Sequence, residues 1–229
     1  MVAEYDVQYE SAFARDKLGK VIPERLQELL DALNAPGSRV EDWYYGLVSK
    51  MLLGLNRACS GLLKTMDEDN LSGAAWNARN CLELWIWAEY CSKSRENAWR
   101  FHGDALRDMQ GILEAHGAIC RAFGRKNEIE ISGQDALNRV AVANLGLQSV
   151  DSNYLKVLEA AKSVGLETRY ASNNRFLSKL AHPTAGLVIG IMHNDRESLG
   201  NLQMSCTTFG MYFTGQCVMA LERIVAAIA

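Results

Sequence analysis

Arg175 and His182 stand seven residues apart in the run Asn-Asn-Arg-Phe-Leu-Ser-Lys-Leu-Ala-His-Pro-Thr at 173–184. On a helix of about 3.6 residues per turn, that spacing puts both side chains on one face, two turns apart. Pro183 removes a backbone donor and disfavours helical geometry at His182, so the imidazole is expected at a helix end or kink, open to a substrate. A guanidinium can grip a phosphate through two parallel hydrogen bonds, and an imidazole can take or give a proton. Cleavage of RNA needs little more: a base for the 2′-hydroxyl proton and donors for the charge on the phosphate. In that chemistry His182 is the base or acid and Arg175 holds the phosphate, while Asn174, Ser178 and Thr184 position water or backbone oxygens. The competing reading makes His182 a helix-ending residue whose charge suits the negative end of the helix dipole, and Arg175 a solvated surface cation.

A second pair lies earlier. Arg79 and Glu83 are one helical turn apart in the most apolar stretch of the chain, beside Trp76, Leu82 and Trp85. Burying charge costs several kcal/mol unless it is paired and hydrogen-bonded, and arginine before glutamate is the less favourable order for a local bridge. One or both are therefore expected to face a third partner, for which His182 is the candidate. A carboxylate near an imidazole would also fix its tautomer. The alternative is a buried ion pair that only orients two helices. His102 and His116 share a helix face but lie about 21 Å apart along the axis, too far to share a metal. His193 falls in an expected turn, and the tryptophans are expected as core anchors.

The Arg175 to His182 interval resembles the Arg-x(4–6)-His motif of the HEPN superfamily, with Phe176 standing where a polar residue often follows the arginine; Arg95 and His102 share the interval. The run Phe-Leu-Ser-Lys-Leu-Ala-His-Pro-Thr at 176–184 is similar to a Ser-x-x-x-His-Pro/Gly-Ser/Thr element found late in a group of bacterial helical proteins. Those proteins also carry Arg-x-x-x-Glu on an earlier apolar helix, matched here by Arg79 and Glu83. The likeness spans roughly residues 40–225. That likeness implies a fold and a site position; the resemblance to the HEPN superfamily implies an all-α core acting as a homodimer, and a metal-independent endoribonuclease or other RNA-directed toxin or defence protein with an antitoxin or defence-system partner. The alternative is a non-catalytic helical binding module whose Arg79/Glu83/His182 cluster is structural or holds a small anion.

The elements that must position these groups are helical nearly throughout. Residues 1–19 read as an N-terminal arm or short first helix, and 20–229 as a single helical domain of about seven to eight helices. An apolar stripe over 20–34 ends at Ala-Pro-Gly; Ser38 is expected to cap a helix to about 66, and Ser72 one to about 91 that is apolar nearly all round and so central. Gly46, Gly54 and Gly61 recur along the second of these helices and can admit a neighbouring backbone. A fourth helix is expected over 95–123, then a loop at 124–133 in which Ile129 and Ile131 pair as an edge strand. Shorter helices follow near 134–148 and 152–164, then the helix carrying Arg175. A last helix over 196–228 buries apolar residues on more than one face, which suits the bundle centre or a homodimer seam.

Composition narrows the classes. The 229 residues carry 48% hydrophobic and 22% charged side chains and a net charge of −3, which argues against a non-specific nucleic-acid binder. Residues 156–179 are nonetheless locally basic, with Lys156, Lys162, Arg169, Arg175 and Lys179 against Glu159 and Glu167. The six cysteines show no Cys-x-x-Cys spacing, so buried free thiols in a reducing cytoplasm are expected, with no zinc site and no cofactor. No Glu stands three residues before a His, and there is no His-Glu-x-x-His, phosphate loop or nucleophile elbow. Gly186-x-x-x-Gly190 reads as helix packing. The run 202–221 is too polar for a membrane span and fits a buried helix, and the N-terminus lacks the pattern of a signal peptide.

Overall fold

The structure, a computed structural model, describes residues 7–35, 42–124, 155–182, 184 and 196–228. Ser38, most of the 124–133 loop, the helix expected at 134–148, Pro183, the Gly186/Gly190 pair and His193 lie outside these residues. The described residues form an all-α bundle without a strand. The chain divides into two compact units, residues 1–93 with 157–229, and residues 94–156.

In the first unit the chain runs through α1 (Val7–Asp16), a π-helical turn (Lys17–Val21) and α2 (Ile22–Leu33). Ala14 and Leu18 are buried, so from Val7 onward the expected arm takes the form of a packed first helix. Pro23 sits in the first turn of α2, where a missing N–H costs nothing, and Ile22, Leu26, Leu29 and Leu33 supply its buried stripe. Next come α3 (Asp42–Asp67) and α4 (Leu71–Lys93). The chain turns between them through Asp69 at a φ of 49°. The residue that caps α4 is Asn70 rather than Ser72: its Oδ1 accepts from the Gly73 N–H at 2.8 Å. The unit is completed by α6 (Val157–Ser163), α7 (Glu167–Ala181) and α8 (Arg196–Ile228).

The centre of this unit is α4, packed against α3, α6, α7 and α8. Leu82, Trp85 and Ile86 are almost wholly buried, as an all-round apolar helix requires. Trp85 stacks on Phe213 of α8 with centroids 6.0 Å apart and meets Tyr212 edge-on at the same separation. Close passage of α8 over α3 and α4 depends on Gly210, where a Cβ would stand 2.6 Å from Leu62 Cδ1 and 3.3 Å from the Ala78 Cα. Of the three glycines on α3, Gly61 faces the Asn77 side chain, whereas Gly46 has open space and Gly54 only ordinary contact with Leu84. Phe213, Val218, Leu221 and Ile224 of α8 are buried, but Phe209, Tyr212 and Met219 are exposed. The helix is covered by α1, α2, α3 and α4, and along its more exposed ridge Phe176 of α7 meets Phe209 while Arg169 donates to the Tyr212 hydroxyl at 3.2 Å. Trp76 and Trp99 likewise stand half in solvent, at 48% and 41% exposure, rather than anchoring the core. Their helix faces carry polar neighbours (Arg79, Asn80 and Glu83; Arg95 and Glu96), and an apolar type does not override that face.

Cys59 and Cys81 meet at Thr214, with Cys217 close to both thiols; the Thr214 hydroxyl donates to the Gly210 carbonyl at 2.7 Å and lies 3.3 Å from Cys81 Sγ. Burial pushes the Cys59 thiol up to about 11 and that of Cys206 up to about 12, and raises Cys81, Cys91 and Cys217 as well. These five thiols therefore stay protonated at pH 8. A disulfide reagent such as DTNB is expected to label them at least about 100-fold more slowly in the native protein than in guanidinium, because the thiolate is the reacting form. Labelling of Cys81 at the unfolded rate would contradict the packing. No helix among the described residues is long and apolar enough to cross a membrane.

The second unit is described through α5 (Arg95–Ala122) with Leu155 and Lys156. Ser94 caps α5 by accepting from the Asn97 N–H at 3.2 Å. Inside it, Asp104 and Arg107 form a buried pair at 2.6 Å, and Asp104 Oδ2 accepts the Leu155 N–H at 3.1 Å. His102 lies beside Trp99, and His116 Nδ1 is 3.5 Å from Cys120 Sγ.

Candidate functional site

Helix α7 stops where the sequence says it must. Ala181 is its last residue, and His182 leaves the helix with φ −108° and ψ 150°, its N–H still bonded to the Ser178 carbonyl at 3.3 Å. The imidazole is exposed. Its Nε2 lies 3.3 Å from Nη1 of Arg79 on α4. Arg79 in turn binds Glu83 Oε1 through both Nε and Nη2, each at 3.0 Å. A guanidinium can only donate, so a hydrogen bond at this contact has Nε2 as its acceptor. The three groups form a relay in which Glu83 aims Arg79 and Arg79 fixes the imidazole. Side-chain exposures of 26% for Arg79 and 27% for Glu83 leave the pair half-buried, so its desolvation cost is modest.

Two further residues frame the relay. The Trp76 ring lies 6.0 Å from the His182 ring at an interplanar angle of 82°. Trp76, Arg79 and Glu83 fall at i, i+3 and i+7, so one face of α4 carries all three. Tyr170 of α7 is buried, and its phenol is pushed up by burial and then by the Glu83 charge, with Arg79 opposing. The spacing on α4 makes Trp76 findable from the sequence; nothing in the sequence ties Tyr170 to Glu83.

The remaining sequence-predicted residues divide. Arg175 is exposed and, among the described residues, makes no hydrogen bond or ion pair. The guanidinium beside His182 is therefore that of Arg79, because two turns of helix carry Arg175 about 10 Å along the axis from His182. Ser178 Oγ donates to Asn174 Oδ1 at 3.3 Å, so these two satisfy each other on α7. Thr184 folds back, its hydroxyl donating to the Lys179 carbonyl at 3.2 Å and its N–H to the His182 carbonyl at 2.7 Å. That turn fixes the backbone at the imidazole. Among the described residues no three His, Cys, Asp or Glu side chains are grouped to hold a metal ion. An open hollow of about 340 Å³ at the α3–α4 turn is lined by Ser11, Asp69, Asn201 and Gln203 among others, and by none of the predicted site residues.

No family model, curated protein or solved structure matches this chain. The fold class is that of an all-α bundle, and any functional reading stands on the site alone.

Proposed function

We propose that this protein is a metal-independent endoribonuclease of HEPN type in which His182 moves the proton and Arg79 holds the phosphate. One observation carries the reading: a solvent-exposed imidazole touches a guanidinium that a carboxylate has already oriented. When a phosphodiester enters, Nη1 transfers from His182 Nε2 to a non-bridging oxygen, and the freed lone pair accepts the 2′-hydroxyl proton. The 2′-oxygen then bonds to phosphorus as the bond to O5′ breaks, and O5′ takes a proton from solvent. The products are a 2′,3′-cyclic phosphate and a 5′-hydroxyl. Fixing the base and the phosphate together is worth about 100- to 10,000-fold for the proton transfer alone. The reading includes a second copy of the chain as homodimer partner, RNA as substrate, and an antitoxin or other defence partner that restrains the activity in the cytoplasm.

The test uses RNA and its fully 2′-O-methylated counterpart in excess EDTA. Cleavage of the RNA alone, with cyclic phosphate ends, is expected; intact RNA after prolonged incubation overturns the proposal. A second reading has its own observation. Two of Arg79's donors are committed to Glu83, as in a structural ion pair or a small-anion site. Intact RNA together with a His182→Ala protein of unchanged stability that no longer binds inorganic phosphate would favour that reading.

A further inference from the structure

Helix α7 carries a second feature that the Arg79–His182 relay does not use. Arg175, Lys179 and His182 follow at i, i+4 and i+7 and are all exposed, forming one outer stripe. The single acidic residue of α7, Glu167, sits in its first turn and pairs with Lys162 at 3.4 Å. From Thr168 to His182 the chain holds no carboxylate. Among the described residues, Arg175 and Lys179 make no ion pair. The rise of about 1.5 Å per residue sets these cations about 6 Å apart, with His182 a further 4.5 Å on. At the end of that ridge stands Trp76, half-exposed and set at 82° to the imidazole.

Resting on the ribonuclease reading, we infer that Arg175, Lys179 and Trp76 form the track that brings a single strand to His182. The two cations take successive phosphates, and the indole stacks the unpaired base beside the reacting phosphate. Phosphate contacts set position, while an aromatic face accepts any unstacked base. A duplex keeps its bases stacked on one another and cannot offer one to Trp76. The three residues therefore act in binding and in the choice of single strands, not in proton transfer. An acidic peptide would use the cations but has no base for the indole.

The experiment measures anisotropy of a labelled 2′-O-methyl oligonucleotide, which binds without being cut, against wild-type protein across a salt series. Arg175→Ala/Lys179→Ala is expected to reduce the slope of log affinity against log salt by about 1.4, at about 0.7 for each phosphate of a single strand that the protein ceases to neutralise. Trp76→Ala is expected to weaken binding about 10-fold or more at unchanged slope, with Trp76→Phe recovering most of the loss. An unchanged slope in the double variant overturns the inference. So does a hairpin duplex that binds as tightly as the single strand, or polyglutamate that competes as well as the oligonucleotide. The failures are separable. Binding with these signatures but no cleavage of RNA removes the nuclease and keeps the track. Cleavage by Trp76→Ala and by the double variant with KM unchanged removes the track and keeps the nuclease.

Discussion

Arg79→Lys is expected to lower the turnover of RNA cleavage by about 100- to 1,000-fold, the usual loss when one donor to a developing negative charge is removed. Lysine keeps the charge but not the fork. Arg79 spends Nε and Nη2 on Glu83 and still reaches His182 with Nη1. An ammonium is one point on a flexible stem and cannot hold a carboxylate, an imidazole and a phosphate in fixed relation. Arg175→Ala, by contrast, is expected to raise KM and leave kcat within about 3-fold, because its partner is a phosphate remote from the reacting bond. Glu83→Gln falls between them: the amide oxygen still accepts from Arg79, but without the charge that fixes its direction. Steady-state kinetics on a short oligoribonucleotide, with circular dichroism to show that each variant folds, reads all three. Loss of kcat in Arg175→Ala with Arg79→Lys fully active would reverse the assignment of the two arginines.

Trp85→Ala is expected to cost about 3–5 kcal/mol of folding stability, the range for removing a buried large aromatic. Trp85 is 2% exposed, stacks on Phe213, meets Tyr212 edge-on, and donates from Nε1 to Glu89 at 3.4 Å. Its loss opens a cavity between α4 and α8. It also strips a donor from Glu89 Oε1, the oxygen that Arg223 holds at 2.7 Å. Trp85→Phe keeps the stack and forfeits the indole hydrogen bond, so a loss of about 1–2 kcal/mol is expected. Urea denaturation of the three proteins gives these differences directly. A midpoint for Trp85→Ala equal to wild type would mean that the helix pair is not closed around this residue.

The two sites differ in how much of them could be read from the sequence. Placing Arg79 and Glu83 against a third partner followed from two costs, a charge pair in an apolar helix and an unfavourable order for a local bridge, and the structure sets His182 at Arg79. The end of α7 at His182 was equally legible, because Pro183 constrains the residue before it. The spacing that joins Arg175 to His182 in the sequence gives them one helix face and no more. A shared helix face aligns two side chains, but two turns separate them by more than either can span, while α4 brings Arg79 across from a position 103 residues away. Trp76 was misplaced for a related reason: its apolar type suggests the core, while its position with Arg79 and Glu83 on α4 puts it on a polar edge. The long helices expected over 196–228 and 95–123 are legible from their periodicity, and the structure has them at Arg196–Ile228 and Arg95–Ala122.

That the imidazole of His182 moves the proton is tested by single-turnover cleavage of an oligoribonucleotide in EDTA, wild type beside His182→Ala. His182 is exposed and ends its helix, so the variant is expected to fold as the parent does. Cleavage by the wild type and a loss of about 100-fold or more in the variant are expected. Cleavage by His182→Ala at the wild-type rate would contradict that role.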